Sequence, residues 1–202
     1  MRKERGFTLI ELAIVLVIIG IIIGMVLKGQ DLIQNARAKS FVNKGRHWET
    51  AVWIFLDRKG RFPGDADRDG LIGDGSVKAD LTGAGFSNPP YEGSGANATN
   101  TITIGSYTFY VFLGNDGDKN IMVLCKIGDC NTAFTSDELI FVEAFDAAID
   151  GVADGTTGQV ICDGTPNNVN ATTWVATYTT APTASNCDNT TTSVVYYFDA
   201  KR

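Results

Sequence analysis

Hydrophobic positions along this chain fall into three regimes. Residues 12–27 contain no charge and no strongly polar group. As a helix, the apolar run from 7 to 27 spans roughly 31 Å, the hydrocarbon thickness of a bilayer. The pattern then turns amphipathic: Ile33, Ala36, Phe41, Gly45, Trp48, Val52 and Phe55 recur mostly at three- and four-residue steps, with Asp31, Gln34, Arg37, Lys39, Lys44, Arg46 and Glu49 between them. One helix from about residue 7 to about residue 56 is predicted, on the order of 75 Å long. Its first half is apolar all round and its second half offers a stripe to a sheet. Gly60, Pro63 and Gly64 end it. Beyond lie short β-branched and apolar runs at 101–104, 107–113, 121–125 and 194–198, separated by turn residues. Asn115-Asp116-Gly117-Asp118 reads as a hairpin turn. Residues 137–149 read as a short helix capped by Ser136, and the Thr- and Asn-rich stretch 167–192 as a surface loop. The expected class is α+β, a long N-terminal helix packed on a C-terminal antiparallel sheet.

One residue breaks the apolar run. Glu11 stands inside it, and a carboxylate in a spanning helix costs on the order of 2.5–3.5 kcal/mol, which marks a functional position. A cleaved secretory signal would need small residues after the run; Lys28-Gly29-Gln30-Asp31 does not supply them. A plain signal anchor fits the hydropathy but leaves Glu11 without a purpose. Gly20 and Gly24 form a small-x-x-x-small pair suited to close helix packing. Together with Gly29, they equally suit local unwinding, since each glycine weakens a helix by about 1 kcal/mol relative to alanine.

Charge and cysteine refine the picture. The chain carries 17 basic and 23 acidic residues, a formal charge of −6. Basic residues before the apolar run place the N-terminus in the cytoplasm. The acidic remainder is a poor nucleic-acid binder, and no direct nucleic-acid partner is expected. Cys125, Cys130, Cys162 and Cys187 are an even set downstream of an export signal, which favours disulfides. Each of Cys125–Cys130 and Cys162–Cys187 is local in sequence, and that pairing is favoured among three. A zinc site competes weakly, because the spacings are not C-x-x-C and His47, the one histidine, lies far off on the predicted helix.

Arg5-Gly6-Phe7-Thr8-Leu9-Ile10-Glu11-Leu12 resembles the processing motif of type IV prepilins and type II secretion pseudopilins. The resemblance implies cleavage between Gly6 and Phe7 by a prepilin peptidase and methylation of the new amine on Phe7. It makes Glu11 the fifth residue of the mature chain, facing the N-terminal amine of a neighbouring subunit. A buried pair of that kind sets axial register more than it adds stability. Loss of the leader would take Arg2, Lys3, Glu4 and Arg5 with it, leaving 14 basic and 22 acidic residues, or −8. The resulting organisation is a leader over 1–6, a membrane and filament-core helix over 7–27, its amphipathic continuation over 28–56 and a β-rich head over 57–202. The stretch 27–33, the turn 57–65 and the segment 143–151 resemble the same group, the last more loosely.

Asp65, Asp67, Asp69 and Gly70 occupy places one, three, five and six of an EF-hand-like loop, making calcium a candidate ligand. Ser76 stands where a bidentate glutamate belongs, so Asp74 or Asp80 would have to substitute; the alternative is an ordinary Asp-Gly turn region. No nucleophile–base pair, P-loop or dinucleotide fingerprint is present, and no other cofactor is expected. The reading is a structural subunit rather than an enzyme. It would polymerise into a helical, cell-surface filament after residence in the bacterial inner membrane, with an assembly ATPase and membrane platform as partners. A pseudopilin of a periplasmic fibre, or a minor tip subunit in adhesion or DNA uptake, are the alternatives; an anchored enzyme comes last.

Overall fold

The structure is a computed structural model and describes residues 8–199. Gly6 and Phe7, the expected cleavage pair, lie outside the described residues. The chain divides into two compact units, Met1–Arg37 and Ala38–Arg202. Helix α1, Leu9–Lys59, contributes to both and ends three residues beyond the expected point, a difference within the usual fraying of helix ends.

In the first unit every large apolar side chain from Leu9 to Ile33 is exposed. This part of α1 is long and apolar enough to cross a membrane. Gly20, Gly24 and Gly29 all lie in it, with open space where a Cβ would stand. Ile33 and Ala36, expected on the amphipathic stripe, are also exposed.

The second unit is an α+β head. The buried face of α1 starts at Ala38 and continues through Phe41, Gly45, Trp48, Ala51, Val52 and Phe55, a helical seam. Two further helices follow, α2 over Val77–Gly83 and α3 over Ser136–Asp150. The strands are β1 (Thr101–Ile104), β2 (Tyr107–Asn115), β3 (Asn120–Cys125), β4 (Val160–Asp163), β5 (Asn168–Asn170), β6 (Val175–Thr177) and β7 (Ser193–Tyr196). They run in the order β4-β7-β3-β2-β6-β5, with β1 also pairing β2.

Alternation along β2 and β3 explains the two-sided burial. Phe109, Val111, Leu113, Met122 and Leu124 join the cluster that includes α1 and α3, while Phe112, Ile121, Val123 and Cys125 enter a second cluster on the other face. Aromatic rings fill the helix side: Phe41 lies 4.7 Å from Phe109, Phe109 5.6 Å from Phe141, and Phe145 5.5 Å from Tyr196. Gly45 lets this happen, since a Cβ there would come within 2.7 Å of the Phe145 ring.

Three expectations are corrected. The sheet is mixed rather than antiparallel, because β6 runs parallel to β2 at Leu113 and Val175. The stretch 167–192 is not simply a surface loop: it holds β5 and β6, and Trp174, Val175, Ala176 and Tyr178 are buried. Trp174 turns the chain into β6 at a φ of 61°, packed 5.9 Å from Trp48 and 5.7 Å from Tyr91. Lastly, α3 is capped by Thr135, not Ser136; Glu138 accepts the Thr135 N–H and hydroxyl, both at 2.8 Å, and lies 3.0 Å from Lys126.

Gly45→Ala in the full chain in detergent micelles is expected to lower head stability by about 1–3 kcal/mol through overpacking. The readout is an earlier denaturant midpoint at unchanged slope. An unchanged midpoint would mean that Phe145 does not depend on the missing side chain.

Candidate functional site

The N-terminus of α1 is built around two residues. Thr8 precedes the helix, and Glu11 is in its first turn. The Thr8 N–H and the Thr8 hydroxyl both donate to Glu11 Oε2 at 2.8 Å, and the Glu11 N–H points back to Thr8 Oγ1 at 3.4 Å. The Leu12 N–H closes the turn on the Thr8 carbonyl at 3.3 Å. This is the reciprocal Thr-x-x-Glu arrangement that serves otherwise orphaned N–H groups at a helix start. The Glu11 carboxylate therefore has two donors from its own chain. Sequence reasoning singled out Glu11 but passed over Thr8; the Thr-x-x-Glu spacing ahead of an apolar run was the available signal.

The acidic loop, 65–75, is held largely by its own carboxylates. Asp65 accepts the N–H of Arg68 at 2.6 Å and of Gly70 at 3.3 Å; Asp74 accepts the N–H of Ala66 at 2.8 Å and of Asp67 at 2.9 Å. The Ala66 N–H holds the Asp74 carboxyl below its usual range; burial opposes it, and the Asp67 N–H assists. Oxygens of Asp65, Asp67 and Asp74 lie within 4.8 Å of one another. Asp69 is outside this group, and its Oδ1 accepts the Leu71 N–H at 2.7 Å. Asp80 is committed elsewhere: it takes both Arg61 guanidinium nitrogens, at 2.6 and 2.8 Å, and the Gly64 N–H at 2.8 Å. The three converging groups offer oxygen donors alone, the chemistry of a hard cation such as calcium, and backbone N–H groups already share all three of them.

Below the loop, Asn120 Oδ1 accepts the Ile72 N–H at 2.7 Å and its amide donates to the Gly70 carbonyl at 2.8 Å. Asn115 donates to the Ile72 carbonyl at 2.7 Å. The β2–β3 hairpin thus fixes the loop from beneath. Disulfides join Cys125 to Cys130 and Cys162 to Cys187. His47 Nε2 lies 3.1 Å from the Asn88 carbonyl oxygen, well placed for one local hydrogen bond.

Residues 1–27 match the family described as the prokaryotic N-terminal methylation motif. That stretch contains Gly6, Phe7, Thr8 and Glu11 and is the signal of type IV pilin and pseudopilin precursors. No curated protein and no solved structure matches the chain.

Arg61 and Asp80 are the firmest support of the loop's entrance. Asp80→Ala is expected to destabilise the head by about 2 kcal/mol, discounted for partial solvent access, because it strands a half-buried guanidinium and the Gly64 N–H. Chemical denaturation of the paired Arg61→Ala, Asp80→Ala variant separates the two effects: a double variant as unstable as the sum of the singles would deny the coupling.

Proposed function

We propose that this chain, which carries the methylation signal of type IV pilin-like precursors, is a structural subunit that polymerises into a type IV pilus-like extracellular filament. The observation carrying this reading is Glu11, a lone carboxylate in the otherwise apolar stretch of α1 that ends at Leu27, inside the matched motif. The precursor resides in the bacterial inner membrane by α1, with its N-terminus cytoplasmic. A prepilin peptidase cleaves between Gly6 and Phe7 and the Phe7 amine is methylated. In the membrane Thr8 serves the carboxylate. On assembly a neighbouring subunit brings its positively charged Phe7 amine to Glu11, and the opposite charges in a low-dielectric core fix the axial register. Energy and a scaffold come from an assembly ATPase and a membrane platform, and the subunit performs no catalysis of its own.

Calcium enters this proposal as a structural ligand of the head. Asp65, Asp67 and Asp74 would hold it; Asp69 and Asp80, on the geometry above, would not. Its effect is to stiffen the loop, and the bound ion stabilises the folded head by mass action. In the full chain in micelles, millimolar calcium is expected to raise the melting temperature of the wild type and leave Asp67→Ala unmoved. Equal behaviour of the two proteins would return the loop to an ordinary turn.

Mass spectrometry of the filament fraction sheared from native cells is expected to find an abundant species that begins at methylated Phe7. Processed protein confined to the membrane fraction would favour a pseudopilin of a short periplasmic fibre, and an intact leader would overturn the processing step. Glu11→Val is expected to insert into the membrane and be processed normally but to reduce filament yield at least tenfold, the effect of losing about 1.4 kcal/mol at each subunit contact. Normal yield from a strain that carries this variant alone would sink the register role.

A further inference from the structure

One buried carboxyl in the head has no part in this assembly scheme. Asp146, on α3, is fully buried. Its Oδ2 accepts the Gly155 N–H at 2.8 Å, and its Oδ1 has no hydrogen-bond partner among the described residues. The charges around it are mostly negative. Asp150, one turn further along α3, accepts the N–H groups of Gln159 and Val160 at 2.9 and 2.8 Å. Asp154 accepts the N–H groups of Thr156 and Thr157 at 2.9 and 3.0 Å. From α1, Arg46 donates to the Ala148 carbonyl at 2.7 Å, while Glu49 accepts from the Tyr196 hydroxyl of β7 at 3.0 Å. The cation in this group is thus directed at a carbonyl, and the carboxylates of Asp150 and Asp154 are pinned by backbone donors.

The far side of the contact is equally fixed. Gly155 has a φ of 63°, and a Cβ there would run into Cys187 Sγ and meet the Ser185 oxygen at 3.1 Å. Its carbonyl accepts the Cys162 N–H at 2.9 Å. The hydrogen bond from Gly155 to Asp146 therefore joins α3 to the strand that carries Cys162, beside the two bonds that Gln159 and Val160 give to Asp150.

We propose that Asp146 is a proton-operated latch: with its carboxyl protonated it seats segment 151–160 against α3, and with its carboxyl ionised it stands among like charges with an unserved oxygen and the segment loosens. Burial pushes this carboxyl up to about 6 from its ordinary 3.8, with the Gly155 N–H opposing and the Asp150 charge assisting. A raised folded-state value means that the group's contribution to stability is complete below 3.8 and is lost as the pH rises through about 6. The carboxyls of Asp74, Glu138, Asp154 and Asp188 are displaced the other way, so their contributions are lost as the pH falls, a change of opposite sign that cannot produce a loss of stability toward neutral pH. A filament head would be firmer in a mildly acidic medium than in a neutral one.

The test is the melting temperature of the full chain in detergent micelles between pH 4.5 and 8, with hydrogen exchange of segment 151–160 corrected for intrinsic rates. The wild type is expected to melt roughly 5 °C lower at pH 7.5 than at pH 5, with the segment less protected at the higher pH. Asp146→Asn is expected to remove this step while leaving His47 in place, so a step that survives in the variant belongs to another group and overturns the latch. Should that variant fold poorly, Asp150→Asn serves instead. Its weakened contacts to Gln159 and Val160 lower the melting temperature at every pH, while removal of the neighbouring charge is expected to shift the midpoint of the pH step toward acid; an unmoved midpoint overturns the latch. A wild-type profile that is flat from pH 5 to 7.5 in both readouts overturns the proposal outright.

Discussion

A carboxylate near the start of an apolar helix must find donors, and much else about α1 follows from where it finds them. Backbone N–H groups in the first turn of a helix have no intrahelical partners. At Thr8 and Glu11 one need answers the other, and a group that would be costly in hydrocarbon becomes part of the helix start. The head repeats the device at Thr135 and Glu138, with a difference that matters: there Lys126 supplies a full positive charge at 3.0 Å. Glu11 is held through neutral donors on Thr8, so its charge is dipole-stabilised but not cancelled. A carboxylate in that condition gains more from an incoming amine than one already paired.

The two units of the chain meet their apolar surface in opposite ways. In the first, apolar side chains face outward all round the helix, which suits a lipid or protein surrounding rather than water. In the second, the same helix buries one seam against a sheet whose inner residues alternate strictly with those of the opposite face. The tight fit at Gly45 and Phe145 and the two disulfides stiffen the head by means independent of any neighbour.

Strong periodicity made the long helix readable, and β-branched runs gave away β1, β2, β3 and β7. Segment 174–178 escaped because it is short and sits among threonines and asparagines; its burial depends on Trp48 and Tyr91, distant in sequence, which local pattern cannot report. At the acidic loop the spacing identified the loop but not the division of labour within it. Asp69 and Asp74 look alike in sequence; what separates them is that Asp74 reaches back across the loop to Ala66 and Asp67 whereas Asp69 closes its own turn. Arg61 likewise decided the fate of Asp80, a pairing across nineteen residues. Thr8 was legible in the Thr-x-x-Glu spacing, but the lipid cost of a carboxylate singles out the acid and says nothing of the residue that caps it.

The place of β7 has a consequence for biogenesis. This strand is the last among the described residues yet lies between β3 and β4, with four paired residues on each side. On a polypeptide delivered amino end first, the sheet stays split until residues 193–196 emerge, and β3 meanwhile presents an unpaired edge open to the wrong strand. Completion of the sheet therefore waits on those residues: a chain arrested before them has no closed head. The order of delivery itself becomes a checkpoint that keeps half-made chains from resembling finished ones.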